Sequence, residues 1–547
     1  MSATTEWKVP GPRQVFGDEL VDRYLAEGAW EGATIARFLA DWADASPDDD
    51  AVIDDGGRRL SAGELRDQAW RLASGLARRG VRPGDRVLAQ ISNRVEAVVA
   101  FYGIVRLGAV VIPAQAALRR HDVESLANRT GAVLAITVDE YRRFGHREMF
   151  EEALPSMPTV RELVVIGEPG GATPWAELLA AAPYDGPYAE ADDPAVVMFT
   201  SGTTAQPKGC VHTSNTLMVT SRGTGRAMGI GPDDVMFMPS PVMHTTGIAV
   251  GILSSVLNRI PCVLQSVWEP RRALENISEH GCTMTIGATT FATMMLAAYD
   301  PAVHDITSFR YFGLAGAPIP AEVVRRLQDT FGCRVGALYG STEGLIISAT
   351  RLDDPIERIA TSDGVAAPGV SLEVVDPAGE PLPPGEEGEI AVRTPGRFLC
   401  YWDDDERTAD ALDERGRLRT GDLGRMDADG YVRITGRMAD LIIRGGMNIS
   451  AAEVEGLLLE HPQVSDVALV AMPDERLGER ACAFVVSTSR SGPTVADLAA
   501  LLAERGVATF KFPERVEVVD ELPRNPTGKV EKFKLRQQIR DLIASGA

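Results

Sequence analysis

Apolar residues recur along the chain with two spacings, one typical of helices and one typical of buried strands. Residues 61–80 carry leucine and alanine at helical spacing. Ser61, followed three residues later by Glu64, predicts a capping box at the start of this helix. Gly80 predicts its end. We therefore expect one amphipathic helix across this segment.

Short runs rich in valine, isoleucine and leucine alternate with further helical segments. Residues 86–91 (RVLAQI) and 109–114 (AVVIPA) are predicted strands on either side of a helix at 94–108. Residues 132–138 and 162–167 continue the series. Strand, helix and strand at this spacing indicate βαβ units. The expected fold class is therefore α/β, with mostly parallel sheets covered by helices.

The pattern changes at about residue 365. Short β-runs separated by DPAG, PPG and EEG turns predict a small antiparallel β-subdomain at about 365–435. Residues 440–547 have the pattern of a compact α+β module. We therefore predict a large N-terminal body, residues 1–437, that includes the β-subdomain, and a smaller mobile C-terminal domain, residues 438–547.

Composition narrows the class of protein. The chain has 547 residues and a formal net charge of −22, which argues against wholesale binding to nucleic acid or anionic membranes. Its six cysteines show no metal-ligand spacing and are typical of reduced thiols. The N-terminus lacks a targeting pattern, and the longest apolar stretches, such as 247–257, are too short to span a bilayer. We expect a cytoplasmic protein without an integral membrane segment.

Residues 199–213, FTSGTTAQPKGCVHT, concentrate hydroxyl groups, glycine and one lysine at the end of a predicted strand. Adjacent hydroxyls and N–H groups suit an anion, and glycine permits the tight curve. The residues alone leave a surface turn equally open, and the GxxxxGK[ST] pattern of a Walker loop is absent. The candidate phosphate-binding residues are Thr200, Ser201, Gly202, Thr203, Thr204 and Lys208.

The segment TSGTTAQPKG resembles the phosphate-loop signature of the adenylate-forming (ANL) superfamily, which contains acyl-CoA synthetases, adenylation domains and luciferases. Five further segments resemble motifs of that superfamily, in the same order along nearly the whole chain. They are GLAGAPIP at 313–320, YGSTEG at 339–344, TGDLG at 420–424, ITGRMADLIIRGGMNISAAEVE at 434–455 and PRNPTGKVEK at 523–532. Within the superfamily, the segments PKGCVHTSNTL at 207–217 and MHTTG at 243–247 are most similar to fatty-acyl and cyclohexanecarboxylate CoA ligases.

The resemblance implies a site for ATP and Mg²⁺. Glu343 is expected to hold the magnesium ion, a hard cation that shares oxygen ligands with phosphates. Thr342 is expected to contact the α-phosphate, and Tyr339 to lie against the adenine. Gly340 and Ser341 belong to the same nucleotide-binding segment.

Two more segments complete the expected nucleotide site. Gly316, Ala317 and Pro318 would let the adenine ring lie on the backbone. By resemblance, Asp422 accepts hydrogen bonds from the ribose hydroxyls and Arg437 supports the ribose or the phosphates.

Lys529 is the lysine that the resemblance makes catalytic. It would steady the carboxylate and α-phosphate oxygens, because the attack of one anion on another needs positive charge where charge develops. The implied reaction has two steps: a carboxylate forms acyl-AMP and pyrophosphate, and a thiol then displaces AMP. In the superfamily the C-terminal domain rotates between the steps. Ala439 stands at the hinge, where Asp or Lys is usual, and Ala205 replaces a usual glycine in the phosphate loop.

The substrates are less closely defined. His244, Thr245, Thr246 and Gly247 are the expected wall of the acyl pocket. Aryl-adenylating enzymes of siderophore synthesis usually have Asn where Thr245 stands, so the pocket resembles theirs less than that of the CoA ligases. The length and ring content of the acid stay open.

Gly445 and Gly446 resemble the loop that lines the pantetheine tunnel, and Arg444 and Lys511 are candidate contacts for CoA phosphates. We expect an AMP-forming carboxylate–CoA ligase that uses ATP, Mg²⁺ and CoA. The alternative is a stand-alone adenylating enzyme that loads a carrier protein. A third hypothesis is a catalytically silent protein that binds a nucleotide or an acyl group. A homodimer is left open.

Overall fold

The computed structural model describes residues 8–200, 207–316, 319, 321–445, 447–474, 476–489, 492–525 and 528–545. These residues pack as two compact units. The first unit contains the described parts of Met1–Thr200, Pro207–Ser371 and Arg393–Leu418. The second contains the described parts of Leu372–Val392 and Arg419–Ala547.

The first unit contains two sheets with predominantly parallel centres. In spatial order, the large sheet consists of Val365–Ala366, Leu345–Ala349, Arg334–Ser341, Tyr311–Ala315, Met284–Gly287, Met236–Met238, Cys262–Leu264, Asp50–Asp54 and Arg59–Ser61. The second sheet consists of Lys208–Thr213, Pro194–Thr200, Val110–Ala114, Arg86–Gln90, Leu134–Val138, Glu162–Ile166 and Thr173–Pro174. A small antiparallel pair joins Glu140–Tyr141 to Phe144–Gly145.

The parallel register confirms the α/β class that the alternating pattern predicted. Arg86–Gln90 pairs in parallel with both Val110–Ala114 and Leu134–Val138, and the latter pairs in parallel with Glu162–Ile166. The strands predicted at 86–91, 109–114, 132–138 and 162–167 are therefore all present. Antiparallel pairing is found at the edges, as between Pro194–Thr200 and Lys208–Thr213.

Helices cover the sheets of the first unit. They are Pro12–Phe16, Asp18–Ala26, Ile35–Ala45, Ala62–Arg78, Val95–Leu107, Arg120–Thr130, His146–Ala153, Trp175–Leu179, Ser214–Met228, Ser254–Asn258, Pro270–His280, Thr289–Ala298, Ala321–Phe331, Ile356–Thr361 and Asp405–Asp410. A 3₁₀ turn spans Leu154–Ser156 and a π-helical segment spans Gly247–Leu253.

The predicted capping box begins helix Ala62–Arg78. The backbone N–H of Glu64 donates to Ser61 Oγ (3.2 Å), and the Glu64 carboxylate accepts from the N–H of Ser61 (2.9 Å). The chain leaves the helix through Gly80, whose φ of +77° lies in the left-handed region that glycine tolerates. The local sequence thus sets both ends of this helix.

Helix Val95–Leu107 is buried along its whole length and packs closely on helix Ala62–Arg78. A Cβ atom at Gly103 would lie 2.7 Å from Leu72 Cδ2 and 2.9 Å from the carbonyl oxygen of Ala69. The two helix backbones can therefore approach at this point only because residue 103 has no side chain.

The second unit contains the predicted antiparallel β-region and the C-terminal module. The small sheet is formed by Ser371–Val375, Glu387–Arg393, Leu418–Met426 and Val432–Arg437. The C-terminal sheet is formed by Met447–Ser450, Leu441–Arg444, Gly478–Ser487, Val464–Asp474 and Arg515–Val519. Its helices are Ala451–Leu458, Val495–Glu504 and Lys532–Ala544, with 3₁₀ turns at Met438–Asp440 and Thr509–Lys511.

The boundary predicted between residues 437 and 438 falls inside this second unit. Ser450 Oγ donates a hydrogen bond to the carbonyl of Thr435 (2.7 Å), which joins the small sheet to the start of helix Ala451–Leu458. The boundary stays a prediction about the point where a moving part begins.

The six cysteines are free thiols, as their spacing predicted, and the structure buries all of them. Among the described residues, no helix combines the length and the apolar character needed to cross a membrane.

The close helix contact predicts that Gly103→Ala destabilises the protein by about 1–3 kcal/mol, because the added methyl group overpacks the interface. Gly456→Ala is the matched control, since Gly456 lies in helix Ala451–Leu458 with no atom within 4 Å of its Cβ position. This change is expected to stabilise by about 0.5–1 kcal/mol through helix propensity. Thermal and urea unfolding followed by circular dichroism measures both, and a Gly103→Ala variant as stable as the parent would contradict the packing argument.

Candidate active site

A tight turn at Thr342–Glu343 joins two antiparallel strands at one end of the large sheet. Arg334–Ser341 enters the turn and Leu345–Ala349 leaves it. The N–H of Gly344 donates to Ser341 Oγ (3.0 Å), which closes the turn. A Cβ atom at Gly340 would lie 2.0 Å from the carbonyl oxygen of Leu345, so only glycine fits there. The predicted residues Tyr339, Gly340 and Ser341 therefore form the strand end that shapes this turn.

Glu343 is held at both its backbone and its side chain. The N–H of Phe398 donates to the carbonyl of Glu343 (2.8 Å), and the Tyr401 hydroxyl donates to Glu343 Oε1 (2.8 Å). The rings of Phe398 and Tyr401 contact each other, with centroids 4.7 Å apart. Burial, followed by the charge of Glu343, raises the pKa of Tyr401, so its phenol keeps the proton that it donates.

Lys208 lies over the ring of Tyr401. Its Nζ atom is 4.8 Å from the centroid of the Tyr401 ring, at the start of strand Lys208–Thr213. Thr200 ends the neighbouring strand and pairs with Lys208 in register. The predicted loop residues Ser201, Gly202, Thr203 and Thr204, together with Ala205, lie outside the described residues.

A buried histidine, His212, binds the backbone of Thr342. His212 Nε2 lies 2.8 Å from the carbonyl oxygen of Thr342, and because a carbonyl only accepts, Nε2 carries the proton. Burial lowers the pKa of His212 to about 4, so the ring is neutral and Nδ1 accepts from the Thr216 hydroxyl (3.1 Å). Thr216 Oγ1 in turn accepts from the N–H of Thr213, the N-cap of helix Ser214–Met228.

The predicted acyl-pocket residues adjoin this turn. Thr245 Oγ1 lies 3.2 Å from Thr342 Oγ1, within hydrogen-bond distance. His244 Nδ1 is buried without a hydrogen-bond partner among the described residues, and burial lowers the pKa of His244 to about 4. Thr246 follows, and Gly247 begins the buried π-helical segment Gly247–Leu253. π-Helical turns are frequent at functional sites because they re-aim side chains.

Gly316 ends strand Tyr311–Ala315 with a φ of +81°, a conformation that favours glycine. The neighbouring predicted adenine contacts, Ala317 and Pro318, lie outside the described residues.

In the second unit, the buried carboxylate of Asp422 pairs with the partly exposed guanidinium of Arg437. Arg437 Nε lies 2.8 Å from Asp422 Oδ1, on paired strands of the small sheet, and Asp422 is 3% exposed. The structure thus brings together two residues that the sequence placed in separate motifs.

The charges of Asp422 and Arg437 both act on the side chain of Lys529. Part of its side chain is exposed, yet desolvation and then repulsion by Arg437 lower the pKa of Lys529 to about 8, against the attraction of Asp422 and Asp440. Among the described residues, no hydrogen bond or ion pair engages the Lys529 ammonium. The neighbouring cations do have partners: Lys532 pairs with Glu455 (2.7 Å).

The predicted hinge residue Ala439 lies in the 3₁₀ turn Met438–Asp440. Its neighbour Asp440 pairs with Arg536 of the C-terminal helix (2.9 Å). Burial acts to raise the pKa of Asp440, but Lys532 and Arg536 outweigh it and lower that pKa. The turn is therefore tied to helix Lys532–Ala544 by charge.

The predicted thiol-tunnel hairpin is formed by Leu441–Arg444 and Met447–Ser450. Gly445 has a φ of +56° and donates its N–H to the carbonyl of Leu477 (2.8 Å), while Gly446 lies outside the described residues. Both candidate contacts for CoA phosphates are already paired with carboxylates. Arg444 pairs with Glu514 (3.0 Å) and Lys511 with Glu453 (2.6 Å).

The described residues contain no cluster of three His, Cys, Asp or Glu side chains able to hold a metal ion by themselves. Glu343 supplies one carboxylate, and neighbouring hydroxyls supply further hard oxygen donors. This donor set fits Mg²⁺, which is commonly bound through one or two carboxylates together with substrate phosphates.

Phe398, Tyr401 and His212 contact the Thr342–Glu343 turn, and no sequence motif predicted a role for them. Phe398 and Tyr401 lie 55 or more residues after Glu343 and belong to none of the six motifs. His212 stands three residues after the phosphate-loop segment. A histidine on an apolar strand is the one signal that could have drawn attention to it.

The model of the AMP-binding enzyme family matches residues 39–402, and that of the AMP-binding enzyme C-terminal domain matches residues 453–529. The chain belongs to the AMP-binding enzyme family and is an AMP-forming acid–thiol ligase of the adenylate-forming superfamily.

Known relatives differ in the thiol that their names mention. The chain is 34% identical to the medium-chain fatty-acid–CoA ligase of Escherichia coli K12, over 96% of this chain and 94% of the relative. It is 32% identical to the salicyl-AMP ligase / salicyl-S-ArCP synthetase of Mycobacterium tuberculosis H37Rv, over 96% and 93%. The crystal structure of the anthranilate CoA ligase AuaEII with anthranoyl-AMP superposes with a TM-score of 0.85 at 26% identity, covering 94% of this chain and 98% of that one.

The neutral, buried state of His212 predicts a pH dependence of stability. An unfolded histidine takes up a proton near pH 6.5, whereas folded His212 resists protonation until about pH 4. The unfolded state therefore binds more protons between these values, so stability is full above pH 6.5 and falls as the pH drops towards 4. The free energy of unfolding that His212 contributes and that is lost over this pH range is at most about 3 kcal/mol. His212→Gln, which keeps an N–H near the Nε2 position, should flatten part of the decline.

His121→Gln is the control, because His121 is exposed on helix Arg120–Thr130. Urea unfolding between pH 4 and 7.5 measures all three proteins. Equal slopes for His212→Gln and the parent would show that His212 does not stay neutral in the folded state.

Proposed function

We propose that the protein is an ATP-dependent carboxylate–CoA ligase, which forms acyl-AMP and pyrophosphate and then acyl-CoA and AMP. The observation that carries this proposal is the Lys529 ammonium, which no described residue pairs, near the ion pair of buried Asp422 with Arg437. A cation left without a partner is available to an anionic substrate, whereas its neighbour Lys532 is neutralised by Glu455.

In this proposal the first unit binds the phosphates. Thr342 contacts the α-phosphate, Lys208 adds a positive charge, and Glu343 would hold Mg²⁺. When bound, Mg²⁺ neutralises phosphate charge and orients the oxygens. The carboxylate of Glu343 is suited to this role because the Tyr401 hydroxyl fixes one of its oxygens. A fixed carboxylate loses little conformational entropy when a cation binds.

The second unit supplies the ribose contact and the catalytic lysine. Asp422 is a buried, immobile acceptor suited to two ribose hydroxyls, and Arg437 holds it in place. Lys529 then balances the negative charge that develops when the substrate carboxylate attacks the α-phosphorus. Turning about Ala439 would carry Lys529 away before the thiol attacks, and the Asp440–Arg536 pair would move with the C-terminal helix.

We propose an apolar acid, aliphatic or alicyclic, as the substrate. The Thr245 hydroxyl lies against Thr342, so its hydrogen-bonding capacity is directed at the protein. Gly247 and the residues that follow it, Ile248 and Ala249, are buried and apolar. Apart from the unpaired Nδ1 of buried His244, this part of the expected pocket wall offers little to the hydroxyl group of a salicylate-type acid. The relative named as a medium-chain fatty-acid–CoA ligase supports this proposal.

CoA is the proposed acceptor, and a carrier-protein phosphopantetheine arm is the second candidate. The second candidate is favoured by the relative whose name includes salicyl-S-ArCP synthetase. It is also favoured by the pairing of Arg444 and Lys511 with carboxylates, which leaves neither free for the phosphates of CoA. The buried free thiols support a reducing, cytoplasmic location.

We expect pyrophosphate release with medium-chain and alicyclic carboxylic acids, followed by acyl-CoA when CoA is added. The measurement is pyrophosphate release over a panel of fatty, alicyclic and aromatic acids, each with no thiol, with CoA or with a phosphopantetheinylated carrier protein. Mass spectrometry identifies the product. Acyl-AMP that accumulates with CoA but is consumed with the carrier protein would replace the first candidate by the second.

The lowered pKa of Lys529 predicts that adenylation weakens at high pH. As the pH rises through about 8, the amine loses its proton and the charge that it supplies. The rate of pyrophosphate release should therefore fall above pH 8. Lys529→Arg, whose guanidinium stays charged, should show no such fall. Lys529→Ala should lower adenylation about 10²–10³-fold while sparing thioester formation from supplied acyl-AMP.

Lys534→Ala is the matched control, because Lys534 is an exposed lysine of the same segment that pairs with Glu531. It should behave as the parent in both half-reactions. Equal loss of both half-reactions in Lys529→Ala would argue against the assigned role.

A further inference from the structure

The N-terminal arm, defined here as residues 8–32, precedes the part of the chain that the AMP-binding model matches, residues 39–402. It contains the short helices Pro12–Phe16 and Asp18–Ala26. The arm therefore lies outside the part of the chain that is matched to the family, and its role must be inferred from its contacts.

The arm is anchored by a cluster of aromatic rings. The Phe16 and Trp30 rings meet edge to face with centroids 5.4 Å apart, and Tyr24 lies 5.3 Å from Trp30. Tyr24 and Trp30 are buried together with Val21 and with Val219 of helix Ser214–Met228. Burial of this many large rings holds the arm against the body of the first unit.

Two side chains connect the arm to the loop of residues 394–401. Trp30 Nε1 donates a hydrogen bond to the carbonyl of Pro395 (2.9 Å). In the opposite direction, Arg397 of the loop donates through Nη2 to the carbonyl of Val15 (3.1 Å). The Arg397 guanidinium also lies 4.4 Å from the centroid of the Phe16 ring.

Arg397 is an unusual side chain to find in the interior. It is 5% exposed, and no carboxylate pairs with it among the described residues. Burial lowers the pKa of Arg397 to about 10. A buried cation without a counter-ion is costly, and here a carbonyl near the end of helix Pro12–Phe16 and an aromatic face compensate for part of that cost.

The same loop contacts the Thr342–Glu343 turn. The residue after Arg397 is Phe398, whose N–H donates to the Glu343 carbonyl, and Tyr401 donates to the Glu343 carboxylate. The backbone at Gly396 also passes close to the turn, since a Cβ there would lie 3.5 Å from the carbonyl oxygen of Gly344. The loop therefore lies between the arm and the turn.

We propose that Arg397 is a positioning residue, through which the N-terminal arm fixes the loop of residues 394–401 and thereby the Glu343 carboxylate. The proposal rests on the proposed function of Glu343 towards Mg²⁺ and ATP. Arg397 acts through Phe398 and Tyr401 and touches no substrate. Loss of the Arg397 contacts should leave the nucleotide bound but weaken the contribution of the metal ion.

The test compares Arg397→Met with Arg397→Lys and the parent. Calorimetry measures the Kd for ATP with Mg²⁺ and again in EDTA. Arg397→Met should raise the Kd for MgATP about tenfold, as is typical when a partner of a metal ligand is lost, and leave the Kd in EDTA within about twofold. Arg397→Lys, which keeps a cation that donates, should recover part of the loss. Arg13→Met is the control, because Arg13 lies in the same arm but pairs with exposed Asp18 and Asp22.

An unchanged ratio of the two Kd values in a folded Arg397→Met variant would overturn the proposal. Trp30→Phe keeps the ring cluster and removes one hydrogen bond to the loop. It therefore tests the same positioning role of the arm if Arg397→Met does not fold. It should raise the Kd for MgATP by a smaller factor, and no change would count against the proposal. A parent enzyme that binds MgATP but converts no acid to acyl-CoA would refute the proposed function and leave this inference standing.

Discussion

The turn at Thr342–Glu343 is the point at which hydrogen bonds from distant segments of the first unit meet. The hydrogen bonds that hold it include those from His212 to the Thr342 carbonyl, from Phe398 to the Glu343 carbonyl, and from Tyr401 to the Glu343 carboxylate. Gly340 permits the close backbone approach beneath them. Because the partners are mostly buried, each bond costs more to break than a surface contact would. A turn held in this way presents the Glu343 side chain in one orientation.

Charge pairing organises the second unit in a comparable way. Asp422 is matched by Arg437, Asp440 by Arg536 and Glu455 by Lys532. Burial raises the pKa of Glu455, and the attraction of Lys532 works against that shift. Lys529 differs from these neighbouring cations, because no carboxylate among the described residues forms an ion pair with its ammonium. The ammonium can therefore contact solvent or substrate.

Predictions that rested on local pattern were confirmed where short-range physics decides the structure. The capping box of Ser61 and Glu64 determines the start of a helix by hydrogen bonds within four residues. The buried strands at 86–91 and 109–114 follow from continuous apolar runs that only a sheet covered on both faces can bury. The π-helical segment that begins at Gly247 was not foreseen, because the apolar run GIAVGILSSVL is equally compatible with regular helix.

The sequence by itself determined the fold class, because alternating apolar runs depend on residue type and spacing along the chain. The resemblance of its six ordered motifs to a known superfamily indicated the superfamily. Only the tertiary structure decided which distant residues hold the candidate site. The indole of Trp30 reaches the Pro395 carbonyl across 365 positions, and the imidazole of His212 reaches Thr342 across 130. No periodicity encodes such contacts, since they arise when separately folded elements pack and bury polar groups that must then find partners.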